Sequence, residues 1–281
     1  MSDLLPKIRE ICHLFKINPQ RSKGQNFLIT ESVYDYIVKV AEIGSEDIVL
    51  EVGPGLGFLT TRLARQAKQV IAVELDDNLA AYLQTGFSLE NIDNVTVVNQ
   101  DILKFNLADY LPSDASYKVV ANLPYNITSF FLRQFLSAEY PPSSLILMLQ
   151  KEVAERIVAQ PPEMSLLAVS VQYYAQPEIL KIVKAGNFWP EPKVDSALVK
   201  FTVTRRQNLK LADKLFFRMV KIGFSAKRKM LKNNLAAGLK IPTVTLENIL
   251  LTNNFPPQIR AENLSLTDWQ KLFAALRDFV V

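Results

Sequence analysis

The sequence predicts an α/β protein: a mainly parallel sheet with helices on both faces, followed by a small all-helical domain. Three observations carry this. Short β-branched runs alternate with amphipathic stretches from residue 48 to about 203, the pattern of strands joined by crossover helices. The first such run opens directly into a glycine cluster, Gly53-Pro54-Gly55-Leu56-Gly57. Beyond Thr204 strand signals stop and helical spacing takes over.

The elements follow in order. Residues 4–15 read as an amphipathic helix with Leu4, Leu5, Ile8, Ile11 and Phe15 on one side, ended by Asn18-Pro19. The polar loop RSKGQNFL comes next, then a helix over 31–42 with Thr30 as its cap. Strands are expected at 48–53, 69–75, 95–101, 117–125 and 144–150, with helices at 58–67, 77–86, 128–138 and 151–160 between and after them. Residues 165–176 and 197–203 read as further strands near the sheet edge, and 211–223, 226–237, 243–252 and 266–279 as helices. Thr204-Arg205-Arg206-Gln207 is the expected linker, giving domains 1–203 and 204–281.

Composition narrows the function. The 281 residues are 49% apolar and 21% charged, enough for one large domain plus an appendage and too apolar for wholesale disorder. No apolar run approaches the roughly 18 residues of a membrane span. The N-terminus alternates charged with apolar residues and lacks a secretory core, so a cytoplasmic location is expected. Cys12 is the only cysteine and His13 the only histidine. That excludes disulfides, Cys/His zinc sites and triads needing another histidine; Cys12 reads as a small hydrophobe and His13 as a surface or packing residue. The charge is uneven: residues 1–28 carry +3, 29–203 carry −8 and 204–281 carry +9. Basic ends around an acidic middle suit a polyanionic partner.

The glycine cluster sits where an open α/β sheet binds a nucleotide, between a strand and a helix. Its G-x-G-x-G spacing is neither the dinucleotide fingerprint nor a P-loop. Glu74 ends the second strand, 21 residues after Gly53, where a carboxylate accepts from two ribose hydroxyls of either a nicotinamide or an adenosyl cofactor. Asp101 ends the third strand; it can accept from an adenine amine with Ile102 packed on the ring, or cap a turn. Asn122-Leu123-Pro124-Tyr125 ends the fourth. Dehydrogenases have no use for this loop, whereas methylation of an exocyclic amine does. The Asn122 side-chain carbonyl and the Leu123 backbone carbonyl are acceptors that aim a weakly nucleophilic nitrogen. Pro124 fixes the loop, and Tyr125 offers a stacking face to an extruded base.

These residues belong to a longer series: K-G-Q-N-F-L (Lys23–Leu28), E-V-G-P-G-L-G (Glu51–Gly57), V-E-L-D (Val73–Asp76), Q-D-I-L (Gln100–Leu103), N-L-P-Y (Asn122–Tyr125), Q-K-E-V-A-x-R (Gln150–Arg156), F-x-P-x-P-K-V-D-S (Phe188–Ser196) and F-S-A-K-R-K-M-L-K-N-N-L (Phe224–Leu235). In this order they resemble the KsgA/Dim-type ribosomal RNA adenine N6,N6-dimethyltransferases, relatives of the Erm methylases, over essentially the whole chain. That family usually has two arginines where this chain has Lys227-Arg228-Lys229, which keeps the charge.

The resemblance implies a Rossmann-like methyltransferase domain, S-adenosylmethionine as cofactor, no metal, and an RNA-binding helical domain. The implied substrate is a pair of adjacent adenosines in the 3′-terminal hairpin loop of small-subunit rRNA, the partner a pre-30S-like particle, and the enzyme a monomer. Catalysis falls to Asn122, Leu123, Pro124 and Tyr125. Cofactor binding falls to Gln25, Asn26, Leu28, Gly53, Gly55, Glu74, Leu75, Asp101, Ile102 and Asn122. Substrate binding falls to Tyr125, to Phe188 facing it across the base, and to Lys227, Arg228 and Lys229 on a helix over Phe224–Leu235. For Phe188 the alternative is that it fills core. An Erm-type large-subunit methylase is disfavoured by N-L-P-Y and K-V-D-S, and a non-enzymatic RNA-binding relative by the intact Glu74, Asn122 and Tyr125.

Overall fold

The computed structural model describes residues 3–19, 24–112, 115–204 and 210–280. Arg21, Lys23 and most of the expected linker lie outside them. The chain forms two compact units, Met1–Ala154 with Gln176–Val203, and Glu155–Ala175 with Thr204–Val281.

The first unit begins with α1 (Leu5–Leu14), β1 (Phe27–Leu28) and α2 (Glu31–Ala41). Strand–helix alternation follows: β2 (Ile48–Val52), α3 (Phe58–Ala64), β3 (Gln69–Glu74), α4 (Asp77–Leu89), β4 (Val95–Asn99), β5 (Tyr117–Asn122), α5 (Thr128–Leu136) and β6 (Ser144–Gln150). α6 (Lys151–Val158) leaves this unit and α7 (Leu166–Gln172) lies in the second. The chain returns through β7 (Ala175–Val183), β8 (Phe188–Trp189) and β9 (Ser196–Val203). The main sheet runs β4-β3-β2-β5-β6-β9-β7, with β2 parallel to β3 and β5, and β6 antiparallel to β9. β3 and β4 add outward from β2 in one direction and β6 adds outward from β5 in the other, so the sheet's switch point lies between β2 and β5. Ligands of open α/β sheets bind beyond the strand ends at such a point. β1 and β8 pair separately, Leu28 opposite Phe188.

The second unit packs α8 (Lys210–Gly223), α9 (Leu231–Leu239), α10 (Thr243–Thr252) and α11 (Leu266–Leu276) around Phe216, Leu235, Leu246, Leu250 and Trp269. Here the sequence reading needs two corrections. Residues 166–172 are helical, not a strand: Ser165 caps them by accepting from the Ala168 amide at 3.1 Å. Met164, Ala168, Val169 and Tyr173 join the second unit's core, with Tyr173 stacked on Phe216. A short apolar run does not reveal its period, and tertiary burial decided it. The helix expected from 226 starts only at Leu231; Lys227, Arg228 and Lys229 occupy an exposed turn before it.

Candidate active site

A cavity of about 260 Å³ opens at the switch point, lined among others by Gln25, Asn26, Leu28, Glu51, Gly53, Gly55, Glu74, Leu75, Asp101, Ile102, Asn122 and Pro124. Every expected cofactor residue is thus gathered in one cleft from five separated segments.

The glycine loop takes left-handed backbone at Gly53, Gly55 and Gly57, with φ of 65°, 59° and 77°. Only glycine does this readily. At Gly57 an added Cβ would lie 2.7 Å from Leu83 Cδ2, so the loop's entry into α3 also needs a bare backbone.

Glu74, at the end of β3, is buried. Its Oε2 accepts from the Gly55 amide at 3.1 Å and its Oε1 from the Asp76 amide at 3.0 Å. The carboxylate therefore ties β3 to the glycine loop, and each oxygen keeps a further lone pair for a ligand. Burial nonetheless pushes its carboxyl above the usual carboxylate range. Leu75 beside it is 62% exposed, an unusual apolar face on the cleft wall. Ile102, lining the same cavity, is buried. Asp101 caps its own turn, Oδ1 accepting from the Leu103 amide at 2.9 Å. The cap reading thus describes this oxygen, while Oδ2 has no hydrogen-bond partner among the described residues.

The segment Gly24–Leu28 closes the cleft on the other side. Gly24 has φ 68°, and a Cβ there would come 3.3 Å from Pro124 Cβ. Gln25 Nε2 donates to Asp76 Oδ2 at 3.4 Å. Asn122 Nδ2 donates to the Asn26 carbonyl at 3.2 Å. Leu28 is buried, and its carbonyl accepts from the Tyr34 hydroxyl at 3.0 Å.

The N-L-P-Y loop follows β5. The Leu123 amide donates to the Met148 carbonyl at 3.3 Å, whereas no backbone amide of the described residues donates to the Leu123 carbonyl. The Tyr125 hydroxyl shares a 2.8 Å hydrogen bond with Ser196 Oγ, which is fully buried at the start of β9. Ser196 was visible in sequence only as part of K-V-D-S; the fold makes it the anchor of the Tyr125 ring. Asp195 fastens the same loop, accepting from Lys184 Nζ at 2.9 Å and the Ala185 amide at 3.0 Å.

Phe188 is 3% exposed and packs in the core beside Leu28, as the core-filling alternative has it. Glu51, noted only as a motif letter, proves to be the most unusual group in the cleft. It is 2% exposed and its Oε2 has no hydrogen-bond partner among the described residues. Desolvation pushes its carboxyl up to about 8, with the Thr60 side chain opposing the rise and the charge of Glu74 adding to it. A buried carboxyl on a cleft wall suits a cationic ligand, and S-adenosylmethionine carries a sulfonium and an ammonium. The residues present therefore fit this cofactor: a carboxylate for a ribose, apolar Leu75 and Ile102 for a base, Glu51 for positive charge.

A glycine loop after β2, a carboxylate ending β3 and N-L-P-Y after β5 define an S-adenosylmethionine-dependent methyltransferase. The profile of the family described as ribosomal RNA adenine dimethylase matches residues 16–277. The chain is 41% identical over 270 residues to "Ribosomal RNA small subunit methyltransferase A" of Dehalococcoides mccartyi strain CBDB1, covering 96% of this chain and 92% of that one. It is 40% identical over 280 residues to the protein of the same name from Lactiplantibacillus plantarum, covering 96% and 94%. Among solved structures it is similar to a dimethyladenosine transferase from Plasmodium falciparum, with TM-score 0.75 and 28% identity over 90% of this chain and 98% of that one. It is also similar to the 23S rRNA methyltransferase ErmE, with TM-score 0.72 and 28% identity over 90% and 100%. The chain belongs to the ribosomal RNA adenine dimethylase family and is an S-adenosylmethionine-dependent rRNA adenine dimethyltransferase. No helix among the described residues is long and apolar enough to cross a membrane.

Proposed function

We propose that the chain dimethylates N6 of two adjacent adenosines in the 3′-terminal hairpin loop of small-subunit rRNA, acting in the cytoplasm as a monomer on an assembling small subunit. The observation carrying this reading is the near-full-length identity of about 40% to proteins named for the small subunit, in a chain whose N-L-P-Y loop stands at the cofactor cleft.

Bound S-adenosylmethionine supplies an electrophilic methyl group on its sulfonium. Glu74 would hold the ribose diol, Leu75 and Ile102 would pack on the cofactor base, and Asp101 would accept from its amine. Glu51, with Gln25 and Asn26, would hold the methionine end. Asn122 Oδ1 and the Leu123 carbonyl accept from the two N–H groups of the target amine. They draw the nitrogen toward tetrahedral geometry and point its lone pair at the methyl carbon. Pro124 keeps this edge rigid and Tyr125 stacks on the base. The work is positioning and oriented dipoles rather than covalent catalysis. Lys227, Arg228 and Lys229 contact the RNA backbone.

Small-subunit rRNA from cells lacking the gene, complemented with this chain or with an empty vector, is the test. Mass spectrometry should find two adjacent N6,N6-dimethyladenosines in the 3′-terminal fragment only with the chain. Modification appearing in large-subunit rRNA instead would overturn the assignment in favour of an Erm-type substrate.

A further inference from the structure

Asn234, on α9, is 5% exposed. Its Nδ2 donates to the Gly223 carbonyl at 2.6 Å and to the Ala226 carbonyl at 3.1 Å. These carbonyls bracket the start of the turn between α8 and α9. The last residue of α8 is pressed on the core: a Cβ at Gly223 would lie 2.4 Å from the Trp269 ring. The turn closes through the Lys229 amide, which donates to the Ala226 carbonyl at 3.0 Å. Its far end is tied by the Leu231 amide, 2.8 Å from the Ile259 carbonyl.

Between these fixed ends Lys227, Arg228 and Lys229 are exposed. The fourth cation of the motif is not available in the same way, since Lys232 Nζ pairs with Glu247 at 3.0 Å and is half-buried. Three consecutive like charges repel one another and favour an open chain. A buried polar side chain must find partners in any fold. An apolar residue would fill the same space without that demand, whereas the two donors of the amide tie both carbonyls at the base of the turn. A turn already ordered does not incur its ordering cost on binding.

We infer that Asn234 is a positioning residue that preorganises the Lys227–Arg228–Lys229 turn for the phosphate backbone of the RNA substrate. The inference rests on that turn being an RNA contact. Backbone ordering of one residue corresponds to on the order of tenfold in binding, so Asn234→Ala should weaken affinity for small-subunit rRNA about tenfold. Affinity for S-adenosylmethionine should stay unchanged.

The decisive measurement is a double-mutant cycle on the full chain, with RNA affinity read across a salt series. Replacing Lys227, Arg228 and Lys229 by Ala should lower affinity and flatten the salt slope. In that background Asn234→Ala should add nothing. A further tenfold loss there would overturn the inference while leaving the RNA contact standing. A triple variant with unchanged affinity and slope would overturn both. Should Asn234→Ala not fold, hydrogen exchange of the free wild-type chain decides. The Lys229 amide should exchange as slowly as those of α9, and exchange at the rate of an open chain would refute a preformed turn.

Discussion

The Asn122 amide donates Nδ2–H to the Asn26 carbonyl at 3.2 Å. This bond fixes which way the amide points, because a flipped group would set Oδ1 against another carbonyl oxygen. Asn122 Oδ1 is thereby left to face the cleft as an acceptor. The segment proposed to cover the cofactor and the loop proposed to present the amine are thus joined by a hydrogen bond. A closed Gly24–Leu28 segment and a correctly aimed Asn122 are one state.

Glu74 holds two backbone amides as well as the proposed ribose. Glu74→Ala should weaken S-adenosylmethionine binding by roughly 1.5–3 kcal/mol, the cost of losing hydrogen bonds to a charged group. It should also lower the melting temperature of the cofactor-free protein, since the Gly55 and Asp76 amides lose their acceptor. Calorimetry giving wild-type affinity would remove Glu74 from the ribose site.

Glu51 makes stability depend on pH. Its folded carboxyl titrates at about 8, against roughly 4.3 in an unfolded chain. Between these values the folded protein holds a proton that the unfolded chain has lost. Its contribution is therefore complete below the unfolded value and is lost as pH rises toward 8. A cation in the cleft favours the ionised form, so cofactor binding at pH 7 should release a proton. Titration calorimetry in buffers of different ionisation enthalpy measures this. Glu51→Gln should abolish the release and flatten that part of the stability profile; equal release from the variant would rule Glu51 out as its source.

Tyr125→Phe should leave the ring in place but orphan the Ser196 hydroxyl. A buried unpaired hydroxyl costs about 1–3 kcal/mol, readable in denaturant unfolding. Methyl transfer should fall with looser orientation of the ring while cofactor affinity holds. Unfolding and transfer both at wild-type level would show the 2.8 Å bond to be dispensable.

The features legible in sequence were those in which backbone geometry dictates residue type. Gly53, Gly55, Glu74 and N-L-P-Y all sit at strand ends, where spacing alone places them beside the switch point. The groups that escaped were set by tertiary burial. Glu51 differs from any strand carboxylate only in its burial, and Ser196 from any small residue only in meeting Tyr125. Phe188, which the family resemblance assigns to the substrate, pairs across strands with Leu28 and packs in the core. Residues 165–176 were read as strand because their apolar run fits either period; packing on Phe216 made 166–172 a helix. A truncation at 204 would therefore strip Met164, Val169 and Tyr173 of the core they fill. Charge substitutions in the turn are the sounder probe of RNA binding.

Single-turnover methyl transfer by Asn122→Ala, at saturating RNA and cofactor, tests most directly whether the N-L-P-Y loop aims the amine. The acceptor acts most strongly as the nitrogen becomes tetrahedral, so its loss belongs in the rate and not in RNA affinity. By analogy with removing one oriented oxyanion-hole donor, the rate should fall on the order of 100–1,000-fold. Some loss of cofactor affinity is also expected, through the broken bond to Asn26, and saturation removes it from this measurement. A rate within a few fold of wild type would contradict the proposed role and leave Asn122 as a tie between two loops.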